Sequence, residues 1–143
     1  MILKEITEFS QQLHLEINSL LSQLTEHKIN FTKSNLLSII NSETSILLGA
    51  FEGTKLIGIL TLIIYQIPTA LCGRIEDVVV DTKFRGNRIG KMLSLEAIKR
   101  GKELNLDKIY LTSNPNRIIA NQLYQKIGFQ LGKTNSYFYT YKK

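Results

Sequence analysis

The segment VVVDTKFRGNRIGKML, residues 78–93, changes from apolar to basic and back to apolar within sixteen residues. The three valines at its start favour a buried β-strand, and the apolar spacing at its end favours the first turns of a helix. Between them lie two glycines and four cations, Lys83, Arg85, Arg88 and Lys91. Because like charges repel one another, such a cluster at the junction indicates that an anion binds there.

A strand, a glycine-containing loop and a helix N-terminus together form a common phosphate-binding arrangement. The free N–H groups and the positive end of the helix dipole point towards the loop, and glycine lets a ligand approach the backbone. The segment has neither the dinucleotide pattern G-x-G-x-x-G nor the P-loop pattern G-x-x-x-x-G-K-[ST]. On these residues alone, a solvated basic surface is the alternative interpretation.

The rest of the chain predicts an α/β fold with a mixed sheet. Apolar residues at helical spacing between Ile6 and Leu24 predict a first helix, and Thr32 is a candidate N-cap for a second. A helix from Ile89 to about Leu104 joins two strands, which makes that pair parallel, whereas the short turns elsewhere make antiparallel pairs. A last helix is expected at residues 117–127. The expected strands are MILK, SILLGAF, KLIGILTLIIYQI, RIEDVVV and KIYLT, with FQLG and SYFYTYKK as a closing pair.

Length and composition fit a single domain that spans residues 1–143. The lone cysteine, Cys72, excludes an internal disulfide and suits a cytoplasmic protein. No apolar run reaches the roughly 20 residues of a membrane helix. Residues 1–72 hold four Lys/Arg and six Asp/Glu, a net charge of −2, whereas residues 73–143 hold fourteen and six, a net charge of +8. This asymmetry favours a polyanionic ligand, with a basic surface kept for solubility as the alternative.

Two motifs identify a family. RGNRIG, residues 85–90, resembles the acetyl-CoA pyrophosphate loop Q/R-x-x-G-x-G/A of the GNAT superfamily of N-acetyltransferases. NRIIANQLYQKIGF, residues 116–129, resembles the A-x-x-L-Y-x-K-x-G-F segment of the same superfamily, and the order of elements also matches. The resemblance implies a mostly antiparallel sheet flanked by helices, with a parallel pair formed by the fourth and fifth strands.

The resemblance implies that the acetyl group of acetyl-CoA is transferred to a primary amine by direct attack, without a metal ion. Tyr124 is then expected to protonate the departing thiolate, although its place on an apolar helix stripe also fits core packing. Glu76 is expected to act as the base or amine anchor, with an ion pair to Arg74 as an equal alternative and Asp77 or water as other candidate bases. The residues expected to contact acetyl-CoA are Val78, Val79, Val80, Arg85, Gly86, Asn87, Arg88, Ile89, Gly90, Lys91, Asn114, Asn121 and Lys126.

Arg88 departs from the family pattern, which usually has glycine at this position. If the position requires a positive φ, arginine is strained there. If it requires only the backbone N–H, Arg88 adds a cation at little cost, and we expect this second case because Gly86 and Gly90 are retained.

The acceptor is undetermined by the sequence: a small amine and a protein amino group are both open, as are a monomer and a homodimer. A CoA-binding sensor without turnover is an alternative function. A nucleic-acid-binding module would fit the basic half of the chain, but no recognised nucleic-acid motif supports it.

Overall fold

A computed structural model describes the whole chain, from Met1 to Lys143. The chain divides into two compact units, residues 1–112 and residues 113–143. The elements, in chain order, are β1 (Ile2–Glu5), α1 (Gln11–Leu24), α2 (Lys33–Ile40), β2 (Ser45–Glu52), β3 (Lys55–Ile67), β4 (Ala70–Val80), α3 (Ile89–Glu103), β5 (Lys108–Tyr110) and α4 (Ile118–Lys126).

The five strands form one sheet in the order β1-β2-β3-β4-β5. The first three pairings are antiparallel, and the pairing of β4 with β5 is parallel because α3 connects them. Gly53 has a φ of +60° at the tight turn between β2 and β3, a conformation that favours glycine. The α/β fold class and the parallel pair predicted from the sequence are therefore confirmed.

The first two helices begin at capped residues. The Ser10 hydroxyl accepts a hydrogen bond from the Leu13 N–H at 3.1 Å, so α1 starts later than its apolar periodicity suggested. Ile6 belongs to the preceding segment, and its N–H donates to the Leu47 carbonyl at 2.8 Å. Thr32 caps α2 as predicted and forms a reciprocal capping box with Asn35.

The two faces of the sheet pack against different helices. A core on one face contains Ile17 and Leu20 of α1 together with Ile59 and Val79 of the sheet. On the opposite face, a Cβ added to Gly58 would lie 3.3 Å from the side chains of Ile89 and Leu93. The missing side chain at Gly58 thus lets the start of α3 pack closely against the sheet, which fixes the position of the basic loop before it.

The second unit, residues 113–143, contains α4 and no strand. The closing strands predicted in FQLG and SYFYTYKK are therefore wrong for this structure. A strand requires a partner for its backbone groups and, usually, a buried face. Here the side chains that were expected to alternate are at least 78% exposed, so they have no core to face; they are Leu131, Tyr137, Phe138, Tyr139 and Tyr141.

Candidate active site

The N-terminus of α3 has no side-chain cap. Its first hydrogen bond of helical spacing runs from the Met92 N–H to the Arg88 carbonyl at 3.0 Å, so the N–H groups just before Met92 have no partner within the helix. Unpaired donors and the positive end of the helix dipole both favour an anion at this place.

The loop before α3 is held in place by hydrogen bonds to the body of the first unit. Asp81 is buried, and its Oδ1 accepts from the Lys83 N–H at 3.0 Å, while its Oδ2 lies 3.9 Å from the Lys55 Nζ. The Thr82 N–H donates to the Gln23 Oε1 of α1 at 2.8 Å. The backbone donors are therefore arranged before any ligand binds.

The four cations of this segment, Lys83, Arg85, Arg88 and Lys91, are all exposed, and none forms an ion pair. Arg85 is partly engaged, because its Nε donates to the Val80 carbonyl at 3.2 Å. Asn87 is engaged in a similar way, since its Nδ2 donates to the Phe84 carbonyl at 3.0 Å. The positive charges remain available to an anion such as a pyrophosphate.

Arg88 adopts the left-handed conformation, with φ +63° and ψ +17°. The expectation that this position needs only its N–H is therefore wrong: it requires the positive φ that the family's usual glycine supplies. A non-glycine residue in this conformation costs about 1–2 kcal/mol. The neighbouring Gly86 also has a positive φ of +85°, so the loop turns through two such residues.

Space remains around both glycines of the loop. A Cβ added to Gly86 would meet nothing within 4 Å, and one added to Gly90 would meet only Val80 at 3.9 Å. Packing therefore does not require glycine at residue 90, whereas a ligand that approaches the helix N-terminus would use the open backbone there. The residues of the loop fit a pyrophosphate group.

A bulge interrupts β4 just before the loop. Glu76 pairs with Thr61 and Val79 pairs with Ile59, so β4 has one extra residue in this interval. Asp77, inside the bulge, has a φ of +50°. The side chain of Val79 is buried in the core, while those of Val78 and Val80 are partly buried. The bulge therefore changes the direction of the side chains at the part of β4 that holds the two candidate bases, Glu76 and Asp77.

The carboxylate of Glu76 forms an ion pair with the Nε of Arg74, two residues earlier on β4. Both side chains remain more than one third exposed, at 39% for Glu76 and 38% for Arg74. Glu76 therefore has the structural partner that sequence reasoning offered as the alternative to a catalytic role. The pKa of the neighbouring Asp77 is raised, first because its carboxyl is partly shielded from water and second because of the charge on Glu76.

In the second unit, Tyr124 is buried at 7% exposure and packs against Phe129. Burial raises the pKa of the Tyr124 phenol, and the nearby charge of Arg117 opposes this in part. The phenol therefore keeps its proton at neutral pH, as a proton donor must.

The polar residues near Tyr124 form local hydrogen bonds. The Asn121 Nδ2 donates to the carbonyls of Asn114 and Arg117, both at 2.9 Å. Asn114 in turn accepts from the Asn116 N–H at 2.9 Å, and Lys126 is exposed on α4. The structure thus links Asn114 with Asn121, two of the residues expected to contact acetyl-CoA.

One polar group at the start of this unit was missed from the sequence. The hydroxyl oxygen of Ser113, just after β5, is buried and has no hydrogen-bond partner. A buried hydroxyl without a partner is rare and marks a candidate ligand contact. No sequence pattern singled out Ser113, because a serine beside Asn114 and Pro115 is typical of a turn.

A profile of the acetyltransferase (GNAT) family matches residues 12–129. The chain belongs to this family, and it is therefore an acyltransferase. The matched range includes α1 except its first residue, the bulged strand, the basic loop and α4 with Tyr124.

Solved structures of acetyltransferases share the fold. An aminoglycoside acetyltransferase from an uncultured soil metagenomic sample superposes with a TM-score of 0.85 at 18% identity, over 99% of this chain and 96% of that one. A glucosamine-6-phosphate N-acetyltransferase from Arabidopsis thaliana gives 0.79 at 21% identity, over 97% of this chain and 99% of that one. A protein of Agrobacterium tumefaciens str. C58, provisionally described as an acetyltransferase, gives 0.86 at 19%, over 98% of this chain and all of that one. At these identities the likeness establishes the fold.

Two further features are absent from the structure. None of its helices combines the length and apolar character needed to cross a bilayer. No three His, Cys, Asp or Glu side chains lie close enough together to hold a metal ion.

Proposed function

We propose that residues 1–143 act as one cytoplasmic N-acetyltransferase domain, which transfers the acetyl group of acetyl-CoA to a primary amine by direct attack. The observation that carries this proposal is the uncapped N-terminus of α3, preceded by four cations without ion pairs. Family membership supports it, because the same loop carries the family's cofactor motif.

In this proposal the loop holds the pyrophosphate of acetyl-CoA. The N–H groups of Ile89 and Gly90 and the side chains of Arg85, Arg88 and Lys91 bind the phosphate oxygens. The bulged end of β4 lies directly before the loop in the chain. In this proposal residues 78–80 contact the part of acetyl-CoA between its pyrophosphate and its thioester. The Nε of Arg85 donates a hydrogen bond to the Val80 carbonyl, which connects the loop with the end of β4.

In the reaction the amine nitrogen forms a bond to the thioester carbon, and the bond from that carbon to sulfur breaks. Glu76 accepts the proton that the amine must lose, directly or through a water molecule. Tyr124 donates its phenolic proton to the departing CoA thiolate. The buried phenol, whose pKa is raised, is protonated at neutral pH and suits this role.

The acceptor is a small molecule or a protein amino group. Two proteins of the same fold are named for amino-sugar acceptors, an aminoglycoside and glucosamine 6-phosphate. These names support a small primary amine as the first acceptor class to test.

The alternative is a sensor that binds CoA without turnover. A sensor is favoured only if Tyr124 and Glu76 both have purely structural roles. The ion pair of Glu76 with Arg74 is the observation in favour of a sensor. A sensor would bind acetyl-CoA and leave it intact when amines are added.

The test measures acetyl-CoA binding by the shift in melting temperature, and turnover by amine-dependent thiol release. Wild-type protein is expected to show both, because a ligand that binds only the folded state stabilises it. The double variant Arg85→Ala/Arg88→Ala should lose most of the shift. Lys99→Ala is the matched control, since Lys99 is an exposed cation on α3 outside the loop. An undiminished shift in the double variant would contradict the loop assignment.

A further inference from the structure

The sheet face that α1 covers continues past that helix as a polar surface. Register places Glu76 opposite Thr61 and Arg74 opposite Ile63 and Tyr110, and paired residues project from the same face. Tyr65 lies two residues beyond Ile63 and therefore shares this face. We call Tyr65, Arg74, Glu76 and Tyr110 the polar patch.

The ion pair in this patch leaves several groups without partners. Arg74 uses only its Nε, so its two terminal nitrogens form no hydrogen bond within the protein. Glu76 uses only its Oε1, so its Oε2 is also free. Both side chains are partly exposed, and a ligand can therefore reach a free cationic donor and a free anionic acceptor side by side.

Two phenol rings lie on the Arg74 side of the pair. Tyr110 is paired with Arg74 across the parallel strands and is 44% exposed. Tyr65 lies beside Cys72, and its pKa is raised by partial burial and by this neighbour, while Arg74 acts in the opposite direction. The patch thus places two aromatic rings next to two opposite charges, groups that recur in small-molecule sites.

The two opposite charges of the patch favour one class of ligand. A simple monoamine that binds Glu76 brings its cation next to the guanidinium of Arg74, and the two repel each other. An acceptor that carries an anion near its amine removes this conflict, because each of its charges meets the opposite charge of the patch. The free terminal nitrogens of Arg74 can bind a carboxylate or phosphate with two parallel hydrogen bonds.

We propose that the polar patch binds the acceptor, and that the preferred acceptor is a small zwitterionic amine with a carboxylate or phosphate group. Its amine lies on Glu76 and its anion on Arg74. This inference rests on the proposed function, because it names the acceptor class of the same reaction. It assigns to Arg74 a role in specificity, and the ion pair of the free protein is then the arrangement that the acceptor replaces.

The experiment compares kcat/KM within pairs of related amines, one member of which carries an anion. One pair is glucosamine 6-phosphate and glucosamine, and the other is γ-aminobutyrate and butylamine. Wild-type protein should prefer the anion-bearing member of at least one pair by about tenfold or more, the usual effect of a hydrogen bond to a charged group. Preference in the first pair alone identifies a phosphate, and preference in the second alone identifies a carboxylate.

Variants of Arg74 separate specificity from folding. Arg74→Gln should abolish the preference, mainly through a higher KM for the anion-bearing amine, whereas Arg74→Lys should restore part of it because the charge is kept. The control Lys99→Gln removes an exposed cation on α3 and should keep the full preference.

Three outcomes would overturn the inference. Wild-type protein that acetylates the amines without an anion equally well or better excludes a zwitterionic acceptor and leaves the proposed function intact. A preference that survives in Arg74→Gln excludes Arg74 as the anion's partner. Acetyl-CoA that binds but remains intact with all four amines rejects this acceptor class, and intact acetyl-CoA across a wider panel of amines and peptides rejects the proposed function too.

Discussion

The ring of Tyr124 meets the ring of Phe129 edge to face, with centroids 5.9 Å apart and planes inclined at 74°. The Phe129 N–H also donates to the Tyr124 carbonyl at 2.9 Å, so the turn that closes α4 fixes both residues. The phenolic oxygen of Tyr124, in contrast, has no hydrogen-bond partner within the protein. Packing therefore uses the ring of Tyr124, and its hydroxyl is free for chemistry.

Tyr124→Phe keeps the ring and removes the hydroxyl. We expect kcat to fall on the order of 10²-fold, the usual effect of a positioned proton donor, with a near-normal melting temperature. The loss is smaller if the CoA thiolate leaves unassisted. Acetyl-CoA affinity should change little, because the hydroxyl acts mainly as the bond to sulfur breaks. Steady-state kinetics and thermal denaturation measure these quantities.

Tyr124→Leu provides the matched packing control. It removes the edge-to-face contact with Phe129 and should lower the melting temperature, which Tyr124→Phe should not. Full activity of Tyr124→Phe with a true acceptor would show that this residue serves packing alone.

Glu76→Gln removes the carboxylate proposed to take the amine's proton. Turnover should fall by about 10²-fold or more and lose its dependence on pH at the acidic side, while acetyl-CoA still raises the melting temperature. The pH–rate profile of the variant is the decisive measurement. An unchanged profile would move the role of base to Asp77 or to water, and equal loss of binding and stability would indicate a structural residue.

Asp77→Asn tests the pKa of the bulge carboxyl. Because that pKa is raised in the folded state, the protonated carboxyl of Asp77 stabilises the fold. This stabilisation is present below the ordinary pKa of 3.8 and is lost as the pH rises through the pKa of the folded protein. Near pH 7 the neutral asparagine should therefore be the more stable, by about 0.5 kcal/mol or less at this exposed position, and near pH 3 the difference should vanish. Urea unfolding at both pH values measures it. A variant less stable near pH 7 than the wild type would contradict the assigned direction.

Arg88→Gly and Arg88→Ala separate strain from charge. Glycine should relieve the cost of the left-handed conformation, which its greater freedom in the unfolded chain partly offsets, for a net gain of up to about 1 kcal/mol. Alanine keeps the strain and should not gain this stability. Both variants remove the cation and should bind acetyl-CoA more weakly to a similar extent. Equal unfolding free energies for the two variants would argue against strain at Arg88.

The motifs predicted the parts of the site that depend on local sequence. Strand, loop and helix around Gly86 and Gly90 followed from composition and spacing, and the N-cap role of Thr32 followed from its position before an apolar run. The antiparallel pairings of β2 with β3 and of β3 with β4 followed from their short turns, and the parallel pairing of β4 with β5 followed from the helix between them. The pairing of β1 with β2, which two helices separate in the chain, did not follow from its connection.

Other features depend on contacts between distant parts of the chain, which local sequence patterns do not reveal. The left-handed conformation of Arg88 was missed because its backbone is fixed by the loop as a whole, against the preference of its side chain. The bulge at Asp77 was missed because it depends on the register between β4 and β3. The aromatic alternation from Tyr137 to Tyr141 predicted a strand, but alternation requires a buried face before it stabilises one.

The most direct test of acetyl transfer is mass spectrometry of both the acceptor and the protein in one reaction. Purified protein is incubated with acetyl-CoA and a panel of amines, amino sugars, amino acids and peptides, with Tyr124→Phe and Arg85→Ala/Arg88→Ala in parallel. We expect an acceptor heavier by one acetyl group, released thiol in equal amount, no acetyl group retained on the protein, and much slower product formation with either variant. An acetylated protein intermediate, or acetyl-CoA that binds tightly yet stays intact with every amine, would contradict direct transfer.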